Sequence, residues 1–315
     1  MQVNLSRIRM RHLRCFLAVA QHGTASRAAE VLGTVQPSIS RSIREMEQEV
    51  GQALFDRTAT GLVLNETGSQ LLSYVANGLG QLDRGLEVVR NQPGEARVIA
   101  YVLPNVVRMV MPGAVERFKR VSPNTDLTFL PATGGGLHAN LRAGRADFGF
   151  GRLLAAEHME GLTFEHLFSE PLAFFVRRGH PLVDASDLCI QDIDRFPVVM
   201  PNAGTIIRVE LDRFIISQGL SRFTNLIETI SFEFARSYLE RSDAIVCQPL
   251  GAMHRELTAG QVCRLDFARG ELVGAVGLTS PVGRRASAPA DRLMEMIRAE
   301  VAELRRPGGY IADLV

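Results

Sequence analysis

The sequence predicts an α/β protein with a helix-turn-helix near its N-terminus, one linker helix, and two α/β lobes beyond it. Three observations predict this. Two short helical periodicities flank a tight turn between Thr24 and Ile43; a seam of Leu72, Val75, Leu79, Leu82, Leu86 and Val89 follows; and from Ala96 onward strand-like and helix-like segments alternate.

In the first stretch, Ala25, Ala28, Ala29 and Leu32 give a short helix a small apolar face that permits close approach to a neighbour. Gly33 ends it. Gln36, Pro37 and Ser38 then open a second helix, with proline tolerated in a first turn whose amides lack intrahelical partners. Two short helices so joined form a helix-turn-helix. Ile39, Ile43, Met46 and Val50 fall on the face to be buried, leaving Gln36, Ser38, Ser40, Arg41 and Arg44 outward. Arginine and glutamine can pair with base edges in a major groove and serine with phosphate oxygens, whereas an ordinary helical pair would carry the same residues as a solvated face. Leu13, Phe16, Leu17 and Ala20 predict a preceding helix packed beneath the pair.

At 315 residues the chain is too long for one small module, and its net charge of +1 says nothing about nucleic acid. Residues 1–60 hold eight arginines against five acids, a modest surplus that predicts salt-sensitive DNA binding, weak for one copy. The seam is heptad-like and predicts a dimerising linker, with packing onto its own domain as the other reading; Gly78, Gly80 and Gly85 weaken the helix if it stands alone. A dimer makes a partly palindromic operator the expected target. Asn91, Gln92, Pro93 and Gly94 read as a hinge. No run of apolar residues is long enough to span a membrane, and the run Cys15–Ala20 is too short for the core of a secretory signal. Cys15, Cys189, Cys247 and Cys263 are scattered without metal spacing, as expected of reduced thiols in a cytoplasmic protein.

The α/β region reads as strands at 97–102, 126–130, 147–151, 172–177, 197–200, 224–229, 244–247 and 272–279, with helices at 106–121, 136–143, 205–218, 232–241 and 288–304. Ligands in such sheets bind where strand ends lead into helix starts. Three such junctions are present: Pro104-Asn105, Thr133-Gly134-Gly135-Gly136 and Asn202-Ala203-Gly204-Thr205. Each offers backbone amides suited to a carboxylate, though each by itself also fits a simple helix cap. Arg152, at the end of a strand, suits a second carboxyl group or a structural acid.

The series Ala28-Ala29, Leu32, Gln36-Pro37, Ser40, Ile43, Glu47, Gly51, Leu54-Phe55, Arg57, Leu64 and Gly68 resembles the winged helix-turn-helix of the LysR-type transcriptional regulators. The two lobes resemble the effector region of that family, itself similar to periplasmic solute-binding proteins. Segments 149–183 and 234–246 resemble the family's regulators of protocatechuate catabolism. Val35 departs from the pattern, standing where a hydroxyl residue is usual; it cannot cap a helix, so Thr34 takes that role or it is unfilled. Asn65 replaces a frequent threonine, and Ala59, Thr60 and Gly61 stand where a basic residue is common.

The resemblance implies a winged helix-turn-helix at 8–65, a linker helix at 66–92, and an effector domain at 96–306, with lobe I at 96–169 and 269–306 and lobe II at 170–268. It implies double-stranded operator DNA contacted by Arg27, Thr34, Gln36, Pro37, Ser38, Ser40, Arg41, Arg44 and Arg57. It further implies a small carboxylate effector, an aromatic acid such as protocatechuate or its ring-cleavage product, bound by Asn105, Thr133, Gly134, Gly135, Arg152, Asn202, Gly204 and Thr205. Self-association as a dimer or tetramer is implied, with no cofactor or metal. Two other readings remain, an α/β enzyme acting on an aromatic acid and a repressor that ignores small molecules. Against the enzyme, the sequence holds no GxSxG, GxGxxG, HExxH or phosphate loop, and His180 in its Gly-His-Pro turn reads as structural.

Overall fold

A computed structural model of the chain describes residues 7–58, 61–90, 96–131 and 136–314. The expected hinge at 91–94, Ala59 and Thr60, and Thr133, Gly134 and Gly135 lie outside the described residues, as do the side chains of Val89 and Asn105. Two units result, one comprising Met1–Gln92 and Arg142–Arg145 and a second comprising Pro93–Leu141 and Ala146–Val315.

In the first unit, α1 (Met10–His22), α2 (Ala25–Val31) and α3 (Gln36–Val50) precede an antiparallel hairpin of β1 (Phe55–Thr58) and β2 (Gly61–Leu64). The long α4 (Glu66–Arg90) follows. Phe16, Val19, Ala28, Ile39, Ile43 and Met46 are buried in one core. Each large side chain fully withdrawn from water there contributes about 1.5–3 kcal/mol. Gly23 ends α1 at φ 72° and Gly51 ends α3 at φ 80°, left-handed positions that favour glycine. Glu47 fastens α3 to the hairpin, its Oε1 accepting the Leu54 N–H at 2.8 Å. Asn65 caps α4 through the Gly68 N–H (2.9 Å) and donates to the Ala53 carbonyl (2.8 Å), so its amide also ties the start of α4 to the chain before β1. The seam divides. Leu72, Val75 and Leu79 pack into this unit's own core, while Leu82 and Leu86 are 51% and 60% exposed.

The second unit is one mixed sheet flanked by helices. Its strands are β3 (Arg97–Val102), β4 (Asp126–Pro131), β5 (Phe148–Arg152), β6 (Leu162–Arg177), β7 (Val198–Met200), β8 (Leu226–Glu228), β9 (Ile245–Pro249), β10 (Val262–Arg264) and β11 (Val273–Pro281). The order is β4-β3-β5-β11-β6-β9-β7-β8, with β10 on β6. Strands β4, β3 and β5 are parallel in one lobe and β9, β7 and β8 in the other; antiparallel β11 and β6 join them. The helices are α5 (Pro104–Met109), α6 (Met111–Val121), α7 (Gly136–Arg142), α8 (Ile190–Asp194), α9 (Ile206–Ser217), α10 (Phe232–Leu239), α11 (Leu250–Thr258) and α12 (Ala288–Leu304). Among its cores, one joins Phe118, Phe148, Phe150 and Ile297 and another joins Phe174, Leu211, Phe214 and Phe223.

Several expectations are corrected. The single helix at 106–121 is two helices, because Pro112 in the first turn of α6 has no N–H to continue the ladder and Val110 takes φ −109° at the junction. The strand expected at 172–177 begins at Leu162, its polar first half held by β11. Strand β8 spans only Leu226–Glu228, while α8, α11 and β10 had no counterpart in the sequence reading.

His180 is structural. Its Nδ1 accepts the Leu182 N–H (3.1 Å), its Nε2 donates to the Asp243 carbonyl (3.2 Å), and its ring lies 4.5 Å from that of Phe196. Desolvation lowers its pKa below the ordinary 6.5. Stability from the neutral ring is therefore complete above that value and is lost as the pH falls through the lower folded value. Urea unfolding should show His180→Gln less stable than wild type by about 1–2 kcal/mol near neutrality, a gap that narrows on acidification.

Candidate DNA interface and effector cleft

Burial of Ile39, Ile43 and Met46 turns the opposite side of α3 outward, leaving Gln36, Pro37, Ser38, Arg41 and Arg44 exposed and Ser40 half-buried. Gln36 Nε2 donates to Ser40 Oγ (2.9 Å), and Arg44 Nε to the Ser40 carbonyl (3.2 Å). No side chain caps α3. Val35 occupies the cap position 62% exposed, so neither it nor Thr34 fills the role. Arg27 is exposed in the first turn of α2, which Thr24 caps by accepting the Arg27 N–H, and Arg57 is exposed on β1.

Sequence reasoning missed the contact that fixes the angle of α3 on α1. Glu45 accepts hydrogen bonds from Arg11 (3.1 Å) and from buried His12 (3.0 Å). Desolvation works against its charge, but these bonds prevail and hold the carboxyl below its usual range. Residues 33 and 34 positions apart give no periodic signal.

In the second unit, the starts of α5 and α9 meet at one narrow cavity of about 50 Å³. Thr205 lines it and caps α9, accepting the Arg208 N–H (3.3 Å) and donating to the Asn202 carbonyl (2.9 Å). Leu103, Pro104, Pro201, Ile206, Ile207, Ile230 and Phe232 make most of the wall, and Gln248 enters it from β9. Asn202 and Gly204, the latter at φ 80°, are exposed on the same junction but do not line the cavity. Since α5 has only six residues, it contributes a wall more than a dipole.

A wider groove of about 710 Å³ adjoins this cavity, sharing Pro104, Ile230 and Phe232. On its wall Arg108 of α5 grips Glu256 of α11 through two bonds of 2.6 and 2.7 Å, and Arg236 of α10 binds the same carboxylate at 3.0 Å. Burial works against the charge of Glu256, yet the bonds from Arg108 and Arg236 hold its pKa low.

Arg152 lies elsewhere. It is 2% exposed at the end of β5, none of its three guanidinium nitrogens has a hydrogen-bond partner, and Glu210 of α9 stands 3.5 Å away. Burial raises the Glu210 pKa, opposed by the charges of Arg152 and Arg213. Among the described residues no cluster of metal-ligating side chains occurs, and no helix is long and apolar enough to cross a membrane.

A helix-turn-helix with glutamine and arginines facing outward, carried on a chain with a two-lobed α/β unit, is the build of a DNA-binding transcriptional regulator. The family description "Bacterial regulatory helix-turn-helix protein, lysR family" matches residues 10–69, and "LysR substrate binding domain" matches residues 92–302. The chain is 32% identical to the transcriptional regulator PcaQ of Agrobacterium fabrum over 95% of this chain and 96% of that one. It is 30% identical to the uncharacterized regulator YdcI of Escherichia coli, over 93% and 95% respectively. In structure it is similar to full-length LysG of Corynebacterium glutamicum with bound effector Arg (TM-score 0.62, 17% identity, 93% of this chain and 98% of that one). The chain belongs to the LysR family, and it is a transcriptional regulator and not an enzyme.

Arg41→Ala should weaken operator binding about ten- to hundredfold while leaving the melting temperature within a degree or two, because the side chain is exposed. Fluorescence anisotropy with specific and scrambled duplexes measures the first and calorimetry the second.

Proposed function

We propose that copies of this regulator pair through the exposed Leu82–Leu86 end of α4 and set the α3 helices into major grooves of a partly palindromic operator. The dimer, or a tetramer of paired dimers, acts in the cytoplasm on double-stranded DNA through Arg27, Thr34, Gln36, Pro37, Ser38, Ser40, Arg41, Arg44 and Arg57. A small carboxylate, an aromatic acid such as protocatechuate or its ring-cleavage product, is the effector. Its site is the α5–α9 junction with Asn202, Gly204 and Thr205, and Asn105, Thr133, Gly134 and Gly135 join it as contacts implied by the family resemblance. Arg152, which does not line this cavity, takes a second carboxyl group where the effector carries one, in exchange for its loose pairing with Glu210. The functional boundaries are those implied by the family resemblance, 8–65, 66–92 and 96–306.

The observation that carries this reading is the meeting of the α5 and α9 starts on one largely apolar cavity, itself narrow, that adjoins the wider groove at Pro104, Ile230 and Phe232, where a ring has room, with the α9 amides beside it for an anion. An effector shifts the assembly only by its preference for one state, so it must bind one arrangement of the lobes better than the other.

A panel of aromatic acids tests the site. One of them at a hundred times its Kd should stabilise the protein by about 2.7 kcal/mol and change its operator footprint; if every acid leaves both unchanged, the aromatic-acid reading is wrong. Leu82→Glu with Leu86→Glu should turn the protein monomeric in analytical ultracentrifugation and weaken operator binding, with the Leu72–Leu79 half of α4 still folded.

A further inference from the structure

Gln248 is unused by the reading above. It sits on β9 between Cys247 and Pro249, is 5% exposed, and its Oε1 has no hydrogen-bond partner. Both threonines of the cavity wall are engaged locally: Thr205 with the Arg208 N–H and the Asn202 carbonyl, Thr229 with the Ser231 N–H. A buried amide oxygen without a donor is costly, and an apolar residue of similar size at this inward strand position would avoid that cost. Among the described residues of the wall no side chain is charged, so a cationic donor arriving here would find no counter-charge in it. A neutral O–H suits the position.

We propose that Gln248 Oε1 accepts a hydrogen bond from a hydroxyl group of the effector, so that the cavity selects hydroxylated aromatic acids over unsubstituted ones. The carboxylate lies at the start of α9, the ring against Ile230 and Phe232, and the hydroxyl meets the amide oxygen. This inference rests on the effector site proposed above. Selection by a buried acceptor is sharp because the analogue lacking the hydroxyl leaves that acceptor unpaired.

The test is isothermal titration of the full-length protein with benzoate, 3-hydroxybenzoate, 4-hydroxybenzoate and cis,cis-muconate. At least one hydroxybenzoate should bind about tenfold or more tightly than benzoate. In Gln248→Leu and Gln248→Met that preference should vanish, with benzoate bound as well as before or better, which itself reports an intact fold. The proposal is overturned if benzoate and both hydroxybenzoates bind alike, or if muconate alone binds. It is overturned equally if the preference survives both substitutions, or if they abolish benzoate binding too. In each of these cases wild-type binding leaves the effector site standing. Failure of all four acids to bind wild-type protein overturns both.

Discussion

The antiparallel pairing of β6 with β11 is the constraint on which the effector unit depends. Strand β6 runs beside β11 from Leu162, opposite Pro281, to Pro171, opposite Val273. It then continues without a break to pair Leu172–Phe175 with β9 and Phe175–Arg177 with β10. One strand thus serves both lobes: Gln248 of β9 lies opposite its Ala173, and β11, its other neighbour, sets Val276 opposite Arg152 of β5. A slip of one residue would turn each to the other face of the sheet. The register shift at Val276/Gly277 is accommodated by a glycine whose missing side chain admits the Glu165 carbonyl.

The DNA-binding head obeys a simpler rule. Ile39, Ile43 and Met46 can reach the core only if α3 lies in one rotation, and that rotation puts Gln36 and Arg41 in solvent. Glu45, held by His12 and Arg11, fixes the helix along the remaining direction. Packing therefore sets the aim of the polar face, and short intrahelical bonds such as Gln36 to Ser40 refine it.

What was legible in the sequence follows from how far each interaction reaches along the chain. Helices α1 to α3 were plain because their apolar spacing is local, as were strands β3 to β5. The break between α5 and α6 was marked by Pro112 but outweighed by the apolar periodicity on either side. The first half of β6 was hidden because Thr163, Glu165 and His166 look polar, and its strand character depends on a partner more than a hundred residues away. In the cleft the α9 junction was visible as a capping pattern. Gln248 and the Arg108–Glu256–Arg236 cluster were not, since only the fold brings them to the helix starts. A glutamine within an otherwise apolar strand was the signal available for the first of these.

Gly274 has a consequence for Arg152. A methyl group built on it would overlap the Arg152 guanidinium, so the cation rests directly on bare main chain. The charge thus keeps its berth through steric fit, with no ring of acceptors around it. Any other residue at 274 would force the guanidinium to shift, and its 3.5 Å approach to Glu210 would change in the same stroke.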